Sequence, residues 1–431
     1  MQTHTTPPDD DSPANSPPNS ARAQFTGVAV AFVYAFCLLA SFAMLRPVRD
    51  EMGVRGGVDK LPWLFTATFV VMLVATPIFG FASARWPRRK LLVGVYAFFI
   101  VNLLAFFALF RAEVAPDMVA KSFFVWLSVF NLYVVSVFWM FMADVFTPEQ
   151  AKKLFGYIAA GASLGAVAGP MITTFTVDRL GTANLLLVAA ATLLVPIAAV
   201  IALARWVERW NPAQAHRAPE RPLGGGMLAG IRLALSSPLM LGLCGYFVLF
   251  TMLATFLYLE QTRVAASAFN DSASRTKFFA NIDLATNIVT LTFQFGVTRA
   301  LLSRVGGFRA LFVLPFVTLA GLAALTVWPS IAVLSVVQVV RRATDYAFAR
   351  PARESLFTLV SREERYKAKN FIDTVVYRGG DMAAAWVDSA AQAAHAGAAT
   401  LGAIGIPLAA AWIGLVAWLG RRGQPTRTTR E

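Results

Sequence analysis

Three charged residues interrupt an apolar stretch of the chain that is otherwise long enough to cross a bilayer. Arg341, Arg342 and Asp345 lie within residues 331–349. Guanidinium groups bind carboxylate and phosphate oxygens through paired hydrogen bonds, and they stay charged where a buried lysine can lose its proton. Charges are costly in hydrocarbon and generally face a polar cavity inside a helical bundle. These residues therefore indicate an anion pathway, with an Arg341–Asp345 pair that only fixes helix packing as the alternative.

Ionisable residues in or beside other apolar stretches extend the predicted site. Pro47 should end the first helix and leave Arg46 and Arg49 facing an external vestibule, unless these side chains only snorkel at a span end. We predict that the cations bind an anionic substrate and that the carboxylates balance their charge or carry a coupling proton. The predicted substrate-binding residues are Arg46, Arg49, Arg341, Arg342 and Arg378, and the coupling or charge-balancing residues are Asp50, Asp345, Asp373 and Asp381.

The sequence offers no set of residues for covalent or metal-assisted catalysis. The chain has only three histidines and two cysteines, and it carries no HExxH, CxxC or Walker motif. The segment Gly161-Ala-Ser163-Leu-Gly165 matches a nucleophile elbow formally, but it lies in an apolar run of small residues without a strand or a histidine partner. We therefore expect neither an enzyme nor a metal or cofactor site, and we expect transport to be driven by gradients.

The elements that must position these charges are membrane-spanning helices. Of the 431 residues, 57% are hydrophobic and 14% are charged, whereas soluble domains have about one quarter charged residues. Twelve apolar runs each approach the roughly twenty residues of a spanning helix. They cover residues 25–45, 61–84, 91–110, 122–143, 157–177, 183–204, 239–259, 278–297, 310–327, 331–349, 371–390 and 401–420. We predict an all-α membrane protein with twelve transmembrane helices.

The distribution of basic residues predicts the orientation. Most Lys and Arg outside the apolar runs fall in alternate segments that include both ends of the chain, which by the positive-inside rule places both termini in the cytoplasm. The net charge of +14 is thus spread over many short loops rather than gathered on one face. This distribution argues against a nucleic-acid partner and leaves the lipid bilayer and a small solute as the predicted partners.

The chain divides into two similar halves. We predict a disordered cytoplasmic tail at 1–24, a six-helix bundle at 25–207, a cytoplasmic linker at 208–238, a second six-helix bundle at 239–420 and a basic cytoplasmic tail at 421–431. The linker is rich in Pro and Gly. Residues 147–157 and 361–371 repeat acidic, basic and aromatic positions after the fourth and tenth runs, which indicates a duplication.

This organisation resembles that of the major facilitator superfamily, in which a cytoplasmic linker joins two six-helix bundles. The basic loop after the second run is similar to the loop that clamps the cytoplasmic side in that family. Gly165-x-x-x-Gly169-Pro170 resembles a pattern of its exchangers, although small residues four apart are also ordinary helix packing. The predicted cytoplasmic gate consists of Arg85, Arg88, Arg89, Glu149, Lys152, Glu363 and Arg365.

A second resemblance concerns the last spans. The chain reads Leu45-Arg46-Pro-Val-Arg49-Asp50, Asp345-Tyr-Ala-Phe-Ala-Arg350-Pro-Ala-Arg353-Glu354, Tyr366-Lys-Ala-Lys369-Asn-Phe-Ile372-Asp373 and Tyr377-Arg-Gly-Gly-Asp381. These segments resemble the ATP/ADP translocase family of bacterial parasites and plastids, which implies nucleotide exchange by alternating access. The chain departs from that family at Asp381, where the family has a lysine, and at Arg350, where it has an aspartate.

The function predicted from these observations is secondary active transport. The first hypothesis is exchange of an anionic solute such as a nucleotide, by a monomer in a bacterial inner (plasma) membrane. The alternatives are a proton-coupled transporter of another anionic small molecule, and a membrane sensor or scaffold that transports nothing.

Overall fold

The computed structural model describes residues 18–210, 238–298, 307–356, 369, 371–394 and 401–422. The predicted gate residues Glu363 and Arg365 lie outside these ranges, as do 1–17, most of the predicted linker and most of the basic tail. In the first half the helices are α1 (Pro18–Arg55), α2 (Leu61–Arg85), α3 (Arg88–Ala112), α4 (Pro116–Val145), α5 (Pro148–Leu180) and α6 (Asn184–Trp210).

The second half is also helical, but several of its helices contain π-helical turns. Helix α7 is Pro238–Ala268, and α8 is Ser272–Phe293 with a π turn at Gln294–Thr298. Helix α9 is Val313–Val327, and α10 is Ile331–Thr344 continued by a π turn, Asp345–Ala349, and by Arg350–Leu356. Helix α11 is a π turn, Ile372–Val376, followed by Tyr377–Ala393, and α12 is Leu401–Gly405 followed by Ile406–Arg422.

Eight helices in the described part of the chain are long and apolar enough to cross a membrane. They are α1 to α7 and α12. Helix α9 is apolar but has only 15 residues, α8 carries the buried Asp283, and α10 and α11 carry charged residues of the predicted site. The chain is therefore a multi-pass, all-helical membrane protein, and the count of twelve spans stays a prediction.

Each half has its own hydrophobic core. In the first half the core is rich in aromatic rings, such as Phe130, which lies 4.7 Å from Phe99 between ring centroids. In the second half it forms around Leu243, Tyr246 and Trp412. Because a buried helix face must pack against another helix, two separate cores mean two bundles with an interface between them.

Three glycines on α5 allow α1 and α5 to pack closely. Gly161, Gly165 and Gly169 are spaced four apart, so they lie on one face of the helix. A Cβ atom on Gly165 would collide with the carbonyl oxygen of Phe36, and one on Gly169 with that of Ala40. The glycine pattern in this helix therefore serves helix packing.

The first helix does not end at Pro47. Helix α1 starts seven residues before the predicted run and continues through Pro47 to Arg55, so the expectation of a helix end at this proline was wrong. A proline in a membrane helix is tolerated when neighbouring helices satisfy the backbone groups that it frees. The carbonyl oxygen that loses its helical donor at Pro47 is that of Ala43, and one residue on, the Thr173 hydroxyl of α5 donates to the carbonyl oxygen of Met44 at 3.2 Å. As a consequence Arg46 and Arg49 lie within a helix.

The turn between α9 and α10 is as short as the sequence predicts. Helix α9 ends at Val327 and α10 begins at Ile331. The Ser330 hydroxyl caps α10 by accepting a hydrogen bond from the Val333 amide at 3.2 Å. This cap fixes the direction in which α10 enters the bundle.

Candidate functional site

Helices α1, α8 and α10 meet at a carboxylate that contacts two arginines from different bundles. Asp283 of α8 is buried, and its Oδ1 accepts from Arg342 Nη2 of α10 at 2.5 Å. Its Oδ2 lies 3.6 Å from Arg46 Nε of α1. The side chain of Arg46 is 29% exposed and that of Arg342 is 11% exposed. Arg46 and Arg342 thus share one counter-ion across the interface between the bundles.

One helical turn after Arg46, a second charged group also links the bundles. Arg49 donates to Oδ1 of its neighbour Asp50 from Nη2 at 2.7 Å and from Nε at 3.0 Å. The same oxygen accepts from the Tyr258 hydroxyl of α7 at 3.1 Å. The Arg49 guanidinium lies 4.9 Å from the ring centroid of Phe124, a cation–π contact. The guanidinium also lies 5.9 Å from the ring centroid of Tyr258, so Arg49 is held by one carboxylate and two aromatic rings.

Arg378 and Asp381 form a third group, which belongs to the second bundle alone. Arg378 Nη1 lies 3.4 Å from Asp381 Oδ2, three residues on along α11. The other oxygen of Asp381 accepts from the Thr255 hydroxyl of α7 at 2.9 Å. The predicted residue Asp373 lies two turns earlier on α11 and is exposed.

Arg341 points into the second bundle. It is 6% exposed and its Nη2 contacts Gln338 Oε1 at 3.5 Å, while Gln338 donates to Gln261 of α7 at 2.7 Å. No carboxylate of the described residues lies within ion-pair distance of Arg341. The predicted site is thus split, because Arg342 faces the bundle interface and Arg341 faces the core of the second bundle.

Asp345 pairs with Arg353 rather than with Arg341, so the hypothesis of an Arg341–Asp345 pair was wrong. Arg353 Nη2 lies 2.9 Å from Asp345 Oδ1, eight residues away. The π turn Asp345–Ala349 explains this spacing, because a π turn holds about one residue more than an α turn. One π turn and one α turn together hold about eight residues, so residues i and i+8 lie on the same face of the helix. Both side chains are 6% exposed.

Aromatic rings surround the Arg353 guanidinium. It lies 4.9 Å from the ring centroid of Phe250, 5.0 Å from that of Phe247 and 5.7 Å from that of Tyr246, all on α7. These contacts compensate partly for the loss of hydration. The Asp345–Arg353 pair is therefore part of the packing between α7 and α10.

Charged contacts join the two bundles at the ends of α1, α5, α7 and α11. We call this side of the protein the outer end, because the predicted orientation places it outside the cytoplasm. Glu51 of α1 is fully buried and accepts from Arg275 of α8 through both oxygens, at 2.6 and 3.1 Å. Arg275 also donates to the carbonyl oxygen of Phe269 at 3.0 Å. Near them, Lys277 of α8 pairs with Asp178 of α5 at the surface.

Ring contacts also close the outer end. Trp63 of α2 and Trp386 of α11 pack edge to face at 5.0 Å between centroids, and the Trp386 indole donates to the Thr66 hydroxyl at 3.0 Å. Buried Leu61 and Leu64 of the first bundle belong to one apolar cluster with Leu259 and Ala385 of the second. Helices of both bundles are thus in direct contact at this end.

The predicted cytoplasmic gate lies at the opposite helix ends. Among its members, Arg85, Arg89, Glu149 and Lys152 have exposed side chains, and Arg88 begins α3. The Arg85 guanidinium lies 5.7 Å from the ring centroid of Phe81. Their role as a gate stays a prediction, since Glu363 and Arg365 lie outside the described residues.

The sequence does not show how the residues of the site pair. Asp283 stands among the polar residues of the eighth run that could mark a pathway, but nothing in the sequence shows which arginines it meets. Glu51, Arg275 and Tyr258 gave no signal, because their partners are more than 200 residues away in the chain. The identities of polar residues in membrane runs can be read, whereas their pairing depends on how the two bundles meet.

The interface carries more positive than negative charge. Four arginines lie at or beside it, Arg46, Arg49, Arg342 and Arg378, and three buried carboxylates, Asp50, Asp283 and Asp381, face them. Such a set can bind and release an anion through charge-assisted hydrogen bonds. Among the described residues no group of His, Cys, Asp and Glu could hold a metal ion.

The sequence and the fold were compared with those of known proteins. The model of the Major Facilitator Superfamily matches residues 25–349 of the chain. A search of curated protein sequences found no match.

Several solved transporter structures share the fold at low sequence identity. A bacterial homologue of the iron transporter ferroportin, in an inward-facing state, superposes with a TM-score of 0.65 at 13% identity, covering 93% of this chain and 98% of that one. A POT family transporter in complex with a thioalcohol-conjugated peptide gives 0.66 at 12% identity, covering 92% and 96%. The nucleoside transporter NupG gives 0.60 at 14% identity, covering 93% and 98%.

Proposed function

The chain belongs to the major facilitator superfamily, and from that membership we propose that it carries an anionic small molecule across a membrane by alternating access. Transport in a helical bundle requires a polar binding site that two rigid bodies can expose alternately to each side. The two bundles and their charged interface meet this requirement. Transport also accounts for the costly buried charges.

The observation that carries the proposal is the position of Arg46 and Arg342. They come from different bundles, yet both contact Asp283, so their guanidinium groups lie on either side of one carboxylate. A carboxylate or phosphate group of a solute has the same charge and acceptor geometry as this side chain. An anion that took its place would contact both bundles at once, as alternating access requires.

We further propose that the chain exchanges one anion for another, with nucleotides as the first class to test. The resemblance of the last spans to ATP/ADP translocases supports this class, and the acidic residue at 381 argues for a changed substrate. A phosphorylated or carboxylated anion smaller than a nucleotide satisfies the same arginines. The setting that we propose is a bacterial plasma membrane, with the monomer as the transporting unit.

A second candidate is proton-coupled transport of an anion. Asp283 and Asp381 are buried carboxylates beside arginines, and such groups serve as proton carriers in many membrane transporters. A pH gradient would then drive accumulation without an internal counter-substrate. The two candidates share the binding site. They differ in the return step, because an exchanger returns with a second anion bound, whereas a proton-coupled carrier returns without an anion.

Uptake into proteoliposomes tests both candidates. The full chain is reconstituted, and uptake of radiolabelled ADP and of inorganic phosphate is measured with and without the same anion inside. Exchange predicts that uptake rises with internal anion, and proton coupling predicts that it rises with an inward proton gradient. Arg342→Gln should lower either signal at least about tenfold, since a hydrogen bond to a charged group contributes about 1.5–3 kcal/mol.

The matched control is Arg111→Gln, which removes an exposed arginine at the end of α3. It should keep the uptake of the unchanged protein. Equal loss in both variants, or uptake of neither probe under any gradient, would count against the proposed function. Binding of these anions without uptake would favour a sensor.

A further inference from the structure

Asp283 holds an unusual place among the carboxylates of the interface. Asp50 pairs with Arg49 of its own helix, and Asp381 pairs with Arg378 of its own helix. In the described part of the chain, Asp283 alone forms ion pairs with arginines of both bundles. Its removal would leave Arg46 and Arg342 facing each other without a shared anion.

The energetic problem of an empty anion carrier arises when its centre closes. While the site is open to one side, water hydrates the arginines. When both ends close, that water is largely excluded, and an unpaired charge in a low-dielectric interior costs several kcal/mol. An anion carrier without an internal counter-ion therefore reorients slowly when no substrate is bound, and its exchange becomes obligatory.

We propose that Asp283 is an internal counter-anion that lets this carrier reorient without a bound solute. Its carboxylate contacts Arg342 at 2.5 Å and lies 3.6 Å from Arg46, so it pairs both guanidinium groups. A solute anion displaces it during transport, and it returns when the solute leaves. Exchange is then possible but not obligatory. This inference rests on the proposed anion transport.

The position of the pair supports this role. The Glu51–Arg275 contact at the outer end must break when that end opens, because its partners belong to different bundles. Arg46 lies five residues, about 7 Å along the helix, before Glu51 on the same helix and so nearer the middle of the membrane. Groups close to the centre move least when two bodies rock against each other. Asp283 can thus stay between its arginines while the carrier reorients without a solute.

The inference can be tested without knowing the solute. The full chain, with Cys37 and Cys244 replaced by alanine, receives dyes at Asp59→Cys and Ala268→Cys, exposed positions at the outer ends of the two bundles. Single-molecule Förster resonance energy transfer between the two dyes is then measured in lipid nanodiscs and anion-free buffer. It reports how long the outer end stays open and how long it stays closed.

The expected result is a slower empty carrier when the charge of Asp283 is removed. The unchanged protein should switch between two distances, and Asp283→Asn should lengthen its dwell times at least about tenfold, which corresponds to about 1.4 kcal/mol of barrier. Asp283→Glu should restore switching to within about threefold. The matched control Asp388→Asn, a buried carboxylate whose partner Arg263 lies in the same bundle, should switch as the unchanged protein does.

A double variant separates charge balance from a merely structural bridge. Asp283→Asn combined with Arg342→Gln removes one anion and one cation, so its dwell times should return towards those of the unchanged protein. If Asp283→Asn alone does not fold, the dwell times of the double variant still test the inference. A double variant as slow as the single one would overturn the inference.

Two other outcomes would also overturn the inference. One is an unchanged empty protein that never switches, and the other is an Asp283→Asn variant that switches as fast as the unchanged protein. Failure of the proposed function shows differently, as an absence of anion uptake in proteoliposomes while the dwell times respond as described.

Discussion

The two halves of this protein solve the same folding problem with different side chains. Every helix of the first half, α1 to α6, is apolar and long enough to span a membrane, whereas among the described residues of the second half only α7 and α12 are. The first half contributes buried charge to the interface through the outer end of α1, with Asp50 and Glu51. The second half carries buried charge on three helices, α8, α10 and α11, including Asp283, Arg341 and Asp388.

This difference indicates that the two bundles are stabilised by different kinds of interaction. The first bundle is held by aromatic contacts and by close packing of α1 on α5, neither of which depends on protonation or on a bound ion. The second bundle includes ion pairs whose members would be costly to bury alone. The half whose charges would be costly to bury alone therefore also supplies most of the groups that can respond to an anion.

The largest effect that would test this comparison is expected at the Asp345–Arg353 pair. Asp345→Asn leaves Arg353 buried among aromatic rings without its counter-ion, and breaking such a pair costs about 3–5 kcal/mol. Reversible unfolding of the full chain in mixed micelles measures the change. The double variant Asp345→Leu with Arg353→Met should recover most of the loss. If the single change costs under about 1 kcal/mol, buried charge does not govern the stability of this half.

The next effect concerns the equilibrium between conformations. Glu51→Gln removes the charge from a fully buried group that binds Arg275 through two hydrogen bonds at the closed outer end. The closed state should lose about 3 kcal/mol relative to the open state, where water reaches Arg275, so the open population should rise roughly a hundredfold. Spin labels at Asp59→Cys and Ala268→Cys measure these populations by their distance distribution. An unchanged distribution would show that this pair does not hold the outer end closed.

The helices could be predicted from the sequence because each apolar run is a local signal. The run at 401–420 corresponds to α12, and the turn at Trp328, Pro329 and Ser330 separates α9 from α10 as predicted. The proline rule failed at Pro47, since it describes a helix in water, whereas α1 continues through this proline while packed closely against α5. Helix ends were missed for a similar reason, because polar residues such as those of 18–24 continue a helix beyond its apolar part.

The site could be predicted by residue type but not by arrangement. Arg46 and Arg342 were expected to bind an anion together; the structure brings both to the carboxylate of Asp283, and anion binding stays a prediction. Arg341 was assigned to the same site, yet one residue of difference turns it by about 100° around the helix into the bundle core. The π turn in α10 has no sequence signature, so the Asp345–Arg353 pair could not have been found by helical spacing.

In the first half the comparison predicts sensitivity to shape rather than to charge. Gly165→Ala adds a methyl group where the backbone of α1 leaves no space, and overpacking of this kind costs about 1–3 kcal/mol. The matched control is Gly94→Ala on α3, where an added Cβ meets nothing within 4 Å and a small gain in stability is expected. The same unfolding measurement compares the two variants. Equal stabilities would show that the α1–α5 contact can separate without cost.

The smallest effect is expected at the Lys277–Asp178 pair, which joins the same two bundles at the same end as the Glu51–Arg275 pair. Its side chains are 40% and 53% exposed, and exposed pairs contribute about 0.2–1 kcal/mol, less at high salt. Asp178→Asn should therefore shift the distance distribution at the outer end by less than about fivefold in population. The two pairs differ mainly in burial. A shift as large as that of Glu51→Gln would mean that location at the outer end, rather than exclusion from water, sets the strength of a contact between the bundles.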